Sequence, residues 1–150
     1  FPMHQLWIYG EGPERSTLER KIADIGLTDR VILPGYSSDI YTDINNAALF
    51  VSSSDYEGIS NSMLEAVAMG LPVICTDCPP GGAAETIQSG KNGLLVPVGD
   101  RKAMADAMRI VLQDDILANR MSAAGAALRT KLSVAEIAHR WMDFIASQER

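Results

Sequence analysis

Residues Ala48 to Cys75 read ALFVSSSDYEGISNSMLEAVAMGLPVIC, and their pattern decides the fold. The run Ala48-Leu49-Phe50-Val51-Ser52 is short, apolar and continuous, as a strand covered on both faces is. A polar stretch follows from Ser53 to Tyr56, and Ser60 or Asn61 then stands where a helix needs its N-cap. Met63, Leu64, Val67 and Ala68 recur at helical spacing as far as Gly70, and Pro72-Val73-Ile74-Cys75 is a second apolar run. Strand, helix and strand, with no polar alternation in the strands, predict a parallel βαβ unit.

The same rhythm extends both ways. Gln5 to Tyr9 reads as a buried strand, and Glu14 to Ile25 as an amphipathic helix with Leu18, Ile22 and Ile25 on one face, stopped by Gly26. Arg30 to Leu33 is the next strand, ended by Pro34-Gly35. Asp39 to Ala48 reads as a helix with Ile40, Ile44 and Ala47 or Ala48 turned inward. Beyond Cys75, a short helix is expected near Ala83 to Gln88, and a strand over Leu94-Leu95-Val96. Asp100 caps a helix carrying Met104, Met108, Val111 and Leu112, and helical patterns continue over Ile116 to Leu128 and Val134 to Ile145. The fold class is α/β, a Rossmann-like doubly wound parallel sheet. Such sheets bind ligands at the carboxyl ends of their strands, which directs attention to the loops after Tyr9, Leu33, Ser52 and Cys75.

Composition narrows the function. With 150 residues, 47% of them hydrophobic, the chain makes one compact domain that needs no disulfide or metal staple. A net charge of −6 excludes a general nucleic-acid binder and tight binding to an anionic membrane. Apolar runs such as Gly93 to Val98 fall far short of the ~20 residues of a membrane span. Phe1-Pro2-Met3-His4-Gln5 is no signal peptide, and without an initiator Met the chain reads as cut from something longer. Cys75-Thr76-Asp77-Cys78 is a CxxC placed at a strand end before Pro79-Pro80, whereas a redox pair sits at a helix N-terminus. Zinc would need two more ligands, and the histidines are only His4 and His139, so a structural reading is preferred. The lack of a disulfide framework fits a cytoplasmic location. His4 reads as a surface residue, and Trp141, Phe144, Ile137 and Ile145 as the apolar stripe of the last helix.

Three glycine-bearing turns carry the chemistry. Tyr9-Gly10-Glu11-Gly12-Pro13-Glu14-Arg15 follows a strand and opens a helix, which lets a phosphate or nucleotide approach the backbone. Arg15 stands where the dinucleotide fingerprint has its third glycine, so a plain tight turn remains an equal reading. The second turn holds Glu57 and Glu65 with seven residues between them, across the start of a helix. Amides of Gly58, Ile59, Ser60 and Asn61 would point out of that helix end and cradle an anion or hydroxyl. A solvated loop acid plus an exposed helix glutamate is the plain alternative. The third turn, Pro79-Pro80-Gly81-Gly82-Ala83-Ala84-Glu85, follows the fourth strand, where Glu85 also suits the helix dipole.

Taken together, these pieces resemble the C-terminal, nucleotide-sugar-binding domain of the GT-B glycosyltransferases, close to the glycosyltransferase family 4 or group 1 type. The matching stretches stand in the family's order. They are Ile8 to Pro13, Val31 to Tyr36, Glu57-Gly58 through Glu65-Ala66, Ala68 to Ile74, Gly81 to Glu85 and Asn92 to Pro97. The resemblance covers nearly the whole chain, and the pair of glutamates with its neighbours is its specific part. It implies transfer of a hexosyl-type sugar from a nucleotide-diphosphate sugar, such as a UDP-sugar, to a saccharide or lipid-linked acceptor in polysaccharide biosynthesis. It implies retention of anomeric configuration and neither a cofactor nor a metal. By the resemblance, Glu65 binds the ribose hydroxyls, and Glu57, the catalytic residue, contacts the donor sugar or supports the developing charge beside it. Backbone at Gly58, Ile59, Ser60, Asn61, Ser62 and Met63 holds sugar hydroxyls and diphosphate. Leu33 and Pro34 edge the base, and Gly10 and Gly12 leave it room.

The family's domain begins one strand earlier, with a basic loop that clamps the diphosphate, and nothing here matches it. The expectation is therefore a nucleotide-sugar-binding domain over 1–150, truncated by its first strand and helix, with C-terminal helices from about 100 to 148. The N-terminal acceptor domain would be its partner, and the chain alone would be inactive. The Leu6–Tyr9 strand is expected to re-pair with the Leu49–Ser52 strand, unless another chain fills the gap as a dimer. Localisation is expected to be cytoplasmic, peripheral at the membrane for the full-length protein. Two other readings stand beside this one: a non-catalytic nucleotide-binding or assembly module, and a nucleotide-sugar epimerase, for which no acid–base set is found. An NAD-dependent dehydrogenase is disfavoured, because Pro34 follows the strand whose end should carry a ribose-binding acid.

Overall fold

The structure is a computed structural model that describes residues 1–148; the last two positions of the expected 1–150 domain lie outside the described residues. It forms two compact units, residues 1–46 and residues 47 onward. The first holds β1 (Leu6–Tyr9), α1 (Arg15–Asp24), β2 (Val31–Gly35) and α2 (Ile40–Ile44). β1 and β2 pair in parallel, Leu6 beside Val31 and Trp7 beside Ile32, with a register shift before Tyr9 meets Gly35.

The second unit holds β3 (Phe50–Ser52), α3 (Asn61–Met69), β4 (Val73–Thr76), α4 (Gly82–Thr86), β5 (Leu94–Val96), α5 (Arg101–Gln113), α6 (Asp115–Ala126), α7 (Leu128–Lys131) and α8 (Val134–Gln148). Its parallel sheet has the order β3-β4-β5. β4 is central and buried at every position, as its run of apolar residues requires. Ile74, Val96, Ala107, Val111 and Met121 form a core between the sheet and α5 and α6. α3 lies against α6, where Gly125 brings the helices close: a Cβ there would stand 3.2 Å from the Val67 carbonyl oxygen. Gly70 ends α3 in the left-handed conformation and returns its N–H to Ala66 and Val67, while the Asp100 and Asp114 side chains cap α5 and α6.

Several expectations are corrected. The Leu6–Tyr9 strand does not pair with the strand of Leu49–Ser52; its hydrogen-bonded neighbour is β2, reached by the short α1 crossover, and that of β3 is β4. Nor is it buried: Leu6 is 44% and Trp7 50% exposed, because a two-stranded ribbon with two short helices cannot cover both faces. Ile25 lies past the end of α1 and is exposed rather than on the inward face. β2 runs on through Pro34 and Gly35, which a strand bonded on one side tolerates, since proline's missing N–H faces no partner there. α2 stops at Ile44, so Ala47 and Ala48 are not on it; Asn45 and Asn46 favour leaving a helix. α8 carries no buried residue, and Trp141 and Phe144 meet edge to face at 6.1 Å on its exposed stripe.

Candidate functional site

The expected site residues fall into two groups, one in each unit. In the first unit, Gly10, Gly12 and Leu33 line one cavity of about 230 Å³ together with Glu11, Pro13 and Arg15. Pro34 is exposed and does not line it. Tyr9 and Gly10 also border a wider cavity of about 400 Å³, closed by Tyr36 through Tyr41. Gly10 adopts a φ of +112°, which only glycine accepts readily, and its N–H donates to the Gly35 carbonyl at 2.8 Å. The ends of β1 and β2 are thereby tied together at Gly10, which lines both cavities. Burial, and then the nearby Asp43 charge, raise the Tyr9 phenol above its ordinary pKa.

Arg15, which counted in the sequence only as a departure from a glycine fingerprint, organises the smaller cavity. Its guanidinium donates from Nη1 to Glu11 Oε1 at 2.8 Å, from Nε to Glu19 Oε1 at 2.9 Å and from Nη2 to the Leu33 carbonyl at 3.0 Å. The signal was there to find, since Glu11, Arg15 and Glu19 stand at successive spacings of four.

In the second unit the polar loop 53–60 leads into α3. Thr76 Oγ1 at the end of β4 donates to the Ser54 carbonyl at 2.5 Å. The Glu57 N–H donates to the Pro79 carbonyl at 3.0 Å, and Glu57 bridges to Pro80. Gly82 seals the arrangement: a Cβ on it would stand 2.1 Å from the Gly58 carbonyl oxygen and 2.5 Å from the Ile59 nitrogen. The third glycine-bearing turn thus serves as the backing of the second. Sequence reading placed both turns at one sheet edge but not in contact.

At the head of α3 the Ser60 side chain accepts from the Met63 N–H at 3.4 Å, and the Ser60 carbonyl accepts from Leu64 at 3.0 Å. Of the four N–H groups that open this helix, Ser60 to Met63, that of Met63 is taken by the Ser60 side chain, and those of Ser60, Asn61 and Ser62 remain for a ligand, next in sequence to Gly58 and Ile59. Met63 itself is a core residue, 1% exposed, which accounts for its apolar character beside this polar turn. Glu57 is exposed, and Glu65 is half-buried in the second turn of α3. Two acids and a short row of amides can accept from hydroxyls and donate to an oxyanion. Behind them the Cys75 and Cys78 thiols are buried and unpaired, and burial, then the neighbouring Cys78, push Cys75 up to about 12. That is a packing role, not that of a reactive pair. Among the described residues no group of three or more His, Cys, Asp or Glu could hold a metal ion, and no helix is long and apolar enough to cross a membrane.

Comparison with known proteins agrees with this architecture. Residues 3–114 match the family model of the glycosyl transferases group 1. The chain is similar to the lipopolysaccharide core biosynthesis glycosyltransferase LpsE of Rhizobium meliloti, with 33% identity over 80% of this chain and 35% of the relative. It is similar to a TarM mutant of S. aureus crystallised with Fondaparinux, alpha-GlcNAc-glycerol and UDP, with 30% identity, a TM-score of 0.85, and coverage of 93% of this chain and 28% of that one. It also matches the C-terminal domain of a group 1 glycosyl transferase, LpcC, from Francisella tularensis, with 27% identity, a TM-score of 0.80, and coverage of 89% and 72%. The chain spans little more than a third of the length of the first curated relatives. On the matched family model and these relatives, the chain belongs to the glycosyl transferases of group 1.

Proposed function

We propose that this chain is the donor-binding part of a retaining glycosyltransferase, one that moves a sugar from a nucleoside-diphosphate sugar to a saccharide or lipid-linked acceptor. The observation that carries the reading is the head of α3. There the Gly58–Ile59 backbone packs against Gly82, and the Asn61 and Ser62 amides, between Glu57 and Glu65 in sequence, open the helix. In the reaction the bond from the anomeric carbon to the diphosphate oxygen breaks, and a bond to an acceptor hydroxyl oxygen forms as that hydroxyl gives up its proton. Negative charge arrives on the departing diphosphate. Preorganised amides aimed there stabilise it without reorganising, which is the largest single contribution in many enzymes. Glu57 lies beside the sugar and Glu65 takes the ribose hydroxyls. Gly10, Gly12 and Leu33 border the base. A UDP-sugar is the favoured donor, because the similar TarM crystal holds UDP. No metal is invoked. The acceptor is bound largely by protein outside these residues, so the reaction is a property of the longer protein, cytoplasmic and peripheral at the membrane.

Calorimetric titration with UDP, GDP and ADP tests this. One nucleotide is expected to bind preferentially, and Glu65→Ala to weaken it about tenfold, the worth of one charge-assisted hydrogen bond of roughly 1.5 kcal/mol. Transfer by the full-length protein, followed by NMR of the product's anomeric carbon, tests retention. Equal affinity in wild type and Glu65→Ala contradicts the ribose role, and an inverted product contradicts the retaining mechanism.

A further inference from the structure

We propose that Arg15 is a positioning residue of the nucleotide site: it fixes the Glu11 carboxylate and the Leu33–Gly35 backbone so that the loop beginning at Tyr36 is presented in one conformation. The inference rests on the donor-site reading above and adds to it a residue that sets base preference by holding the backbone at Leu33, which that reading places beside the base.

Three of the guanidinium's N–H groups go to three different segments: Glu11 in the turn after β1, Glu19 one helical turn into α1, and the Leu33 carbonyl on β2. Leu33 stands two residues before Gly35, the only buried residue among positions 1–46. Gly35 has a φ of +85°, and Glu11 Oε1 lies 2.5 Å from where its Cβ would be. Arg15 therefore holds a Glu11 carboxylate oxygen over the hydrogen face of Gly35, its own Nη1 3.8 Å from the same Cβ position, while Nη2 holds the strand at Leu33. Directly after Gly35 the chain turns into Tyr36, 83% exposed, and the Ser37–Asp39 wall of the larger cavity. Whatever moves Gly35 moves that wall.

Magnitude separates positioning from stabilisation. The Arg15 side chain is 36% exposed and its glutamate partners 55% and 53%. Ion pairs this open contribute about 0–1 kcal/mol to folding. What such a cluster can do is select one geometry, and it needs a planar fork to reach three acceptors at once, which a lysine ammonium cannot provide.

The test uses the full-length protein with Arg15→Met and Arg15→Lys, measuring thermal midpoint and the affinities for UDP and GDP. Arg15→Met is expected to lose about tenfold on the preferred nucleotide, the scale of a lost charge-assisted contact, and to narrow the UDP/GDP preference. Its midpoint should stay within a few degrees of wild type. Arg15→Lys, which keeps charge and stem and therefore folds, is expected to behave like Arg15→Met. Wild-type affinity and preference in Arg15→Lys overturn the proposal. So does a drop in midpoint with the UDP/GDP ratio unchanged, the mark of a merely structural ion pair. A wild-type protein that binds neither nucleotide overturns the donor-site reading itself, and the inference with it.

Discussion

A single hydrogen decides how the candidate site is built. Gly82 has an ordinary backbone conformation, yet no room exists for a methyl group, because the Gly58 carbonyl oxygen would lie 2.1 Å from it. Both neighbours are backbone and cannot swing aside, so Gly82→Ala must displace the 57–60 loop. Overpacking of this kind costs about 1–3 kcal/mol, and nucleotide binding should fall more steeply than stability. Urea unfolding and calorimetry on the same preparation compare the two losses. Gly35→Ala is a different case: the obstacle is the end of the Glu11 side chain rather than backbone, and a φ of +85° adds a cost of roughly 1–2 kcal/mol for an L residue. The Cys75 thiol makes a prediction in pH. Its folded pKa is raised to about 12 by burial, from an ordinary value of 9.0. Below pH 9 both states keep the proton. Above it the unfolded thiol ionises and the folded one does not, so the unfolded state holds fewer protons and stability falls as pH rises, by at most about 1.4 kcal/mol per unit. Urea unfolding at pH 8 and pH 10 should show a steeper loss for wild type than for Cys75→Ala; parallel losses would contradict the burial.

At the scale of the element, α3 is both the head of the site and a core helix. Ser60→Ala removes the side chain that caps Met63 and should cost about 1 kcal/mol, read in urea unfolding. Gly125→Leu would push α6 off α3, where the Val67 carbonyl already stands 3.2 Å from a Cβ position, and should destabilise by about 1–3 kcal/mol without altering the Asn61 and Ser62 amides. Most elements were legible in the sequence because one local signal sufficed: the Ser60 cap, the Gly70 stop, the Asp100 cap, the continuous apolar run of β4. The elements that were misjudged depend on what lies around them. Leu6-Trp7-Ile8 reads as a buried strand by composition, but burial belongs to neighbours, and β1 has one. Arg15 was read by what it replaced rather than by the glutamates four residues to either side. The contact of Gly82 with Gly58 joins residues 24 apart in sequence, and no periodicity reports it.

At the scale of the whole molecule, two compact units each carry glycine turns at the carboxyl ends of parallel strands, where α/β sheets bind ligands. Both tryptophans, Trp7 and Trp141, are at least half exposed, so the emission of this chain should be that of water-exposed indole and readily quenched by iodide. The central claim is that the turn from Gly58 to Ser62 receives the diphosphate of a nucleotide sugar. The most direct measurement is amide NMR of the protein titrated with UDP and GDP. The donor-site reading predicts saturable shifts at Gly58, Ile59, Asn61 and Ser62, together with Gly10, Gly12 and Leu33. Shifts confined to other residues, or none at saturating nucleotide, would contradict it.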